Sequence, residues 1–395
     1  MRSIVSLAVA GVAVMALTGT PLAPASAAPA VDSDIPATTA PVPADLPLHI
    51  HGGAWPTSHV QGVAVDREGG YIYWSFTQAL VKTDLDGNLI GTVTGITGHL
   101  GDLDINPKDG RIYGSLEYKA AKAFYIAIVD PEKITRVGMD AEDDGVMTAV
   151  HLQEVVDDFV ADMDGNGTFD GDTANTADHR YGCSGIDGVA FGPDFGKKGG
   201  DQNLVVAYGI YSNTARDDND HQVLLSYDTT QWHKYEQPLN QDTPHRSGPA
   251  AYDGKYFVFT GNTTYGVQNL EYDEYTQDWL LHAYEGAKPE YPNYGLFRVD
   301  GATAPTTGLI RGQATPETGE LLTLEQAGEY HAPSGTFGYR FHGDYGMAAL
   351  GGGYYYVAEG RAVNDGSGVA KQEGEVYLYR WTGATPAPFE RVTQR

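Results

Sequence analysis

One motif recurs along this chain: a histidine, then a glycine-bearing step, then a short apolar strand. It reads His59-Val60-Gln61-Gly62-Val63-Ala64-Val65-Asp66 and His99-Leu100-Gly101-Asp102-Leu103-Asp104. It returns more loosely as His179 ahead of Gly185-Ile186-Asp187-Gly188-Val189, as His245-Arg246-Ser247-Gly248-Pro249-Ala250, and as His342-Gly343-Asp344-Tyr345-Gly346-Met347-Ala348. Each is followed by a turn and a second strand rich in Tyr and β-branched residues, at 71–76, 111–116, 204–208, 256–260 and 354–358. A third strand follows at 80–84, 126–130, 223–228, 296–300 and 376–381. Such residues suit a pleated, half-buried surface. Self-similarity at a fixed period marks a repeat architecture, and His59 and His99 stand 40 residues apart, the spacing of a propeller blade. The expected fold is therefore all-β: a β-propeller of about five four-stranded blades, with residues 47–55 available as an outer strand that closes the ring.

Composition agrees, because 50 Gly and 26 Tyr with only 19% charged residues suit many short strands and tight turns. Arg2, the apolar run 4–17 and the small residues Ala25-Ser26-Ala27 predict a secretory signal over 1–27. An Ala/Pro-rich, disordered linker is expected over 28–47 and the propeller over 48–395. No later stretch is long and apolar enough to span a bilayer, so a secreted, extracellular monomer is expected. Cys183 is the only cysteine, which excludes an intrachain disulfide and suits a small core residue. A net charge of −27 argues against nucleic acid and anionic membranes as partners.

The segments Gly62-Val63-Ala64-Val65-Asp66, Gly70-Tyr71-Ile72-Tyr73 and Thr83-Asp84-Leu85-Asp86-Gly87-Asn88 resemble blades of the broad NHL and SMP-30-like propeller group. That resemblance covers the first blade well and implies fold, not activity.

Two insertions interrupt the repeat, near 139–181 and 270–294. The first places Val150, Leu152, Val155, Val156, Phe159 and Val160 at helical spacing and predicts one helix. The second, rich in Tyr, Trp and acidic residues, reads as a lid. The helix runs into Asp162-Met163-Asp164-Gly165-Asn166-Gly167-Thr168-Phe169-Asp170, which resembles an EF-hand calcium loop. The resemblance implies Ca²⁺ held by Asp162, Asp164, Asn166, Thr168 and Asp170. Thr173 stands where the bidentate Glu belongs, leaving Asp172 or Asp178 to close the site.

In a blade the residues just before the first strand and just after the second meet at the mouth of the central channel. This geometry gathers His59, His99, His245 and His342 with Glu117 and Tyr118 as candidate catalytic residues. Gln61, Arg180, Arg246, Asp187, Asp344 and Glu359 are the candidate substrate-binding residues. Imidazoles from several blades could hold a transition metal or act as general bases near neutral pH. A base, an Arg clamp and a Tyr proton donor are what β-elimination from a uronic-acid sugar needs, so a secreted saccharide lyase is the leading expectation. A glycoside hydrolase with paired carboxylates and a non-catalytic carbohydrate-binding propeller are the alternatives.

Overall fold

In a computed structural model the described residues are 35–364, 366 and 368–395. Residues 1–34, which carry the expected export signal and the start of the linker, lie outside them.

The chain folds as a five-bladed β-propeller. Blade one is the antiparallel series Gly62–Asp66, Tyr71–Phe76, Ala79–Asp84 and Leu89–Thr94, with Met139–Asp140 added in parallel at its edge. Blade two runs His99–Ile105, Ile112–Tyr118, Ala123–Val129 and Met147–His151, edged by Gln237–Pro238. Blade three is Cys183–Pro193, Gln202–Ile210, His221–Tyr227 and Gly254–Phe259, extended by the Thr306–Leu309 and Thr318–Leu321 hairpin. Blade four has three strands, Thr263–Asp273, Asp278–Glu285 and Leu296–Asp300. Blade five is Met347–Ala349, Tyr354–Val363 and Lys371–Trp381, whose outer edge pairs with both Phe389–Arg391 and the N-terminal strand His49–Trp55. The first strand of the domain thus closes the ring against its last blade.

Middle strands are buried on both faces because each blade is stacked between two others. Ala123–Val129 is accordingly an unbroken apolar run with every residue buried, where a one-sided sheet would alternate. The core lies between blades. The largest cluster joins blades two and three around Phe124, Ile126, Val189, Val206 and Tyr208, and contains Cys183.

Four sequence expectations are corrected. The segment 256–260 is the outer strand of blade three, and 270–294 is no lid, since it holds most of the inner two strands of blade four. Val267, Leu270, Trp279 and Leu281 pack against Ala190, Val205 and Leu224 of blade three. Two of the acidic residues that suggested a lid are paired inside the structure. Arg298 pairs with Asp278, and Asp273 accepts the Tyr355 hydroxyl at 2.6 Å. The α-helix is shorter than its apolar pattern, Gln153–Phe159, because Val150 belongs to the strand Met147–His151. Seven residues without a side-chain cap are too few to hold a helix alone, and Val155, Val156 and Phe159 fix it by packing. Finally, residues 35–47 lie against blade five where a disordered linker was expected. Leu46 is fully buried, the Thr38 N–H donates to the Trp381 carbonyl at 3.0 Å, and Tyr354 donates its hydroxyl to the Ala40 carbonyl at 2.6 Å.

Two side chains tie all five blades at the axis. Asp102, on the inner strand of blade two, accepts from the N–H groups of Val189 in blade three (3.0 Å) and Leu270 in blade four (2.9 Å) through Oδ2. Its Oδ1 accepts from Leu103 N–H at 2.9 Å and from Asn269 Nδ2 at 2.6 Å. Asn269 also donates to the Gln61 carbonyl leading into blade one, at 3.1 Å, and accepts from Met347 N–H of blade five at 2.7 Å. The centre of the ring is therefore filled by hydrogen bonds, and a ligand on the axis must sit at a mouth.

Candidate functional site

At one mouth lies a cavity of about 720 Å³. Antiparallel pairing places His99, at the start of its strand, directly across from Glu117, near the end of the next. Asp187 comes from the inner strand of blade three, which is bulged on both sides of Ile186. Bulges re-aim side chains beside sites, and here Asp187 turns into the cavity. Gly185 has φ +126°, and a Cβ there would run into Glu117 Oε2, so only glycine lets that carboxylate reach the Ile186 N–H at 3.2 Å.

Both carboxylates converge on one imidazole nitrogen. His99 Nδ1 is 3.4 Å from Glu117 Oε1 and 3.8 Å from Asp187 Oδ1, while Lys119 Nζ is 3.4 Å from Glu117 Oε1. Asp187 Oδ2 is held by Gln268 Nε2 at 2.9 Å, and its buried Oδ1 has no hydrogen-bond partner. A buried carboxylate oxygen without a partner is exceptional in a folded chain and marks this residue out.

The environments push the two acids apart. Burial acts to raise Glu117, but Lys119 and His99 outweigh it and leave its carboxyl below the usual range. Burial dominates at Asp187; the attraction of His99 is partly cancelled by the repulsion of Glu117, and its carboxyl rises to about 6. Burial works to lower His99, yet the two carboxylates lift it above its ordinary value. The site thus sets a carboxyl that ionises readily, Glu117, beside one that holds its proton to higher pH, Asp187.

Several expected residues do meet here. His59, Gln61, His99, Glu117, Tyr118 and Asp187 line the cavity. Tyr118 donates to Gln241 Oε1 at 2.9 Å, and burial raises its phenol, so its proton is held tightly. Others are placed elsewhere. His245 precedes no inner strand; it lies in the connection to the outer strand of blade three, its carbonyl accepting from Tyr125 at 2.5 Å and its ring 5.1 Å from the Tyr125 ring. Arg246 donates to the carbonyls of Lys122 and Ala121, and Arg180 to Glu317 at 2.8 Å on the outer side of blade three. His342, Asp344 and Glu359 line a second, neighbouring cavity. His179 is a brace, bonded to the Phe159 and Gly171 carbonyls at 2.6 and 2.9 Å. The four histidines do not assemble a donor set for a transition metal, and among the described residues the groups of close ligand atoms lie outside this cavity.

Blade four supplies what the sequence reading missed. Its inner strand is bulged between Thr264 and Val267, which sets Tyr265 at φ +61° and 48% exposed on the rim, with Gln268 below it. Tyr284 completes the wall. A glycine inside a strand, Gly266, was the available signal for that bulge.

The acidic loop is a separate feature. Asp162 Oδ1 accepts from the Gly165 and Asn166 N–H groups, and its Oδ2 from Gly167 at 2.7 Å; these bonds hold its carboxyl below the ordinary range. Asp162, Asp164 and Asp178 bring ligand atoms within 4.8 Å of one another. Two oxygens on one Ca²⁺ at about 2.4 Å can be no further apart than about 4.8 Å, so the donor set fits that ion. Of the two residues expected to stand in for the missing Glu, Asp178 and not Asp172 belongs to this group. Asp170 turns instead to the Thr176 hydroxyl at 3.2 Å, and Asn166 Oδ1 accepts the Thr168 N–H.

Fold and site together define a five-bladed β-propeller with an acid–base pocket at one mouth. No protein-family model and no curated protein matches the sequence. Among solved structures, the chain is similar to the hydrazine synthase of Kuenenia stuttgartiensis at 10% identity and TM-score 0.32, covering 76% of this chain and 73% of that one. It is similar to the Dos1 propeller at 10% and 0.27, covering 80% and 78%. It is also similar to the β-propeller domain of Cps50 (Swd1) from Myceliophteria thermophila at 11% and 0.30, covering 85% and 74%. Overlaps this low carry no argument about ligand or reaction, and the fold stands on the strand pairing itself. Among the described residues no helix is long and apolar enough to cross a membrane.

Proposed function

We propose that this chain is an exported, monomeric carbohydrate-active enzyme that hydrolyses glycosidic bonds in the blade-two and blade-three pocket. The observation that carries this is the pair Glu117 and Asp187, two carboxyls on one imidazole with pKa values pushed in opposite directions. Such a divided pair supplies one ionised group and one proton donor, the division of labour that glycoside cleavage uses. Asp187 gives its proton to the leaving oxygen as the glycosidic bond breaks. Glu117, kept ionised by Lys119 and His99, stabilises the positive charge that develops at the anomeric carbon, and water adds there, returning its proton to Asp187. Gln268 fixes the other Asp187 oxygen, and Tyr265 offers a ring at the rim on which a sugar can stack.

This reading replaces β-elimination as the leading one. Elimination needs a cation beside the sugar carboxylate, and Arg180 and Arg246 are both committed away from the cavity. Lys119 is there but already faces Glu117. The net charge of −27 also disfavours polyuronate chains. The test is incubation with neutral and acidic polysaccharides. Hydrolysis releases reducing ends without new ultraviolet absorbance; an unsaturated, absorbing product would return the assignment to a lyase, and binding without turnover would make the protein a lectin.

Ca²⁺ in the acidic loop would be structural in this reading, holding the loop that His179 braces in a chain with no disulfide to do so. Chelator should then lower the melting temperature by several degrees and added Ca²⁺ restore it. A melting curve indifferent to both would remove the ion.

A further inference from the structure

Three of the expected site residues that miss the first pocket, His342, Asp344 and Glu359, fall together in the second. That cavity, about 530 Å³, is walled by the segment 340–345 leading into blade five and by the upper end of the strand Tyr354–Val363. One side chain separates it from the acid–base pocket. The Tyr345 ring, which lines the second cavity, lies 5.1 Å from the ring of His59 and 6.4 Å from that of Tyr284, both of which line the first. The two cavities are thus neighbours across a single aromatic ridge.

We propose that the second cavity is a subsite for a further sugar unit, so that the ligand is a neutral oligosaccharide crossing the Tyr345 ridge. This rests on the carbohydrate reading of the first pocket. Phe341, Tyr345 and Tyr379 present rings against which the C–H face of a sugar packs, and His342, Asp344 and Glu359 bring polar atoms to the same wall. Asp344 is only 8% exposed, and His342 Nδ1 stands 3.4 Å from its Oδ1. Arg340, the one Arg or Lys on this wall, is bonded to Glu329 at 2.9 Å. A wall whose cation is already paired selects hydroxyl groups over phosphate or carboxylate. Contact-distance spacing between the cavities suits consecutive units of one chain better than two unrelated ligands.

The experiment uses xylo-, arabino-, cello- and manno-oligosaccharides from disaccharide to hexasaccharide, with affinity by calorimetry and kcat/KM by product release. Wild type is compared with His342→Ala, a side chain 70% exposed whose removal should not disturb folding. For the accepted sugar, affinity should rise about tenfold or more from disaccharide to tetrasaccharide. His342→Ala should erase most of that gain while leaving the disaccharide unchanged. Turnover with no dependence on chain length, or a variant that weakens short and long ligands alike, overturns the subsite and spares the hydrolase reading. Length-dependent binding that His342→Ala abolishes, without turnover, keeps the subsite and overturns the hydrolase. Absence of binding by every sugar overturns both.

Discussion

Asp102→Ala should unfold the protein or come close to it. The variant leaves the N–H groups of Val189 and Leu270 and one N–H of the Asn269 amide buried at the axis without this acceptor. Each orphaned donor costs about 1–3 kcal/mol, so a total on the order of 5 kcal/mol is expected. That is comparable with the whole stability of an ordinary domain. Asn269→Leu removes the links to Gln61 and Met347 and should act in the same direction. Urea or thermal unfolding followed by circular dichroism decides the matter; a melting temperature within about 3 °C of wild type for Asp102→Ala would show that the axis is held by something other than this carboxylate.

The second large effect is on turnover. Glu117→Gln should lower kcat by on the order of 10³-fold with the fold intact, because the ionised group is lost while an acceptor for the Ile186 N–H remains. Asp187→Asn should act similarly and change the pH profile. Asp187 must carry its proton to act as the acid, and its carboxyl lies at about 6, so wild-type activity should fall as pH rises through that value. Glu117, held below the usual range, should limit activity only in stronger acid. The attraction of His99 draws the Asp187 carboxyl down, so His99→Gln should move the upper limb to higher pH. An upper limb that stays in place in His99→Gln, or survives in Asp187→Asn, assigns the acid to another residue.

Much of the architecture was legible because propeller strands repeat in kind. The inner strands behind His59, His99 and His342 are where the motif placed them, and the spacing from His59 to His99 is one blade. The failure came at blade four, whose inner strand begins at Thr263 with no histidine ahead of it. His245 imitated the missing corner, and 256–260, as aromatic and β-branched as any second strand, filled the next slot. Both belong to the outer edge of blade three. With blade four read as an insertion, Tyr265, Gln268 and Tyr284 were invisible as site residues. The pairing of His99 with Glu117 was readable from register alone. That Asp187 reaches the same mouth was readable too, but its aim at the His99 ring was not, because its direction depends on two bulges that only packing between blades fixes.

The bond between His51 and Glu373 joins residues 322 positions apart. The strand His49–Trp55 finds its partner only once Lys371–Trp381 has been made. A growing chain therefore cannot complete its ring piecemeal. It must carry an open sheet edge until that strand is in place, so refolding should be slow and prone to pairing between molecules, as contacts this distant in sequence make it.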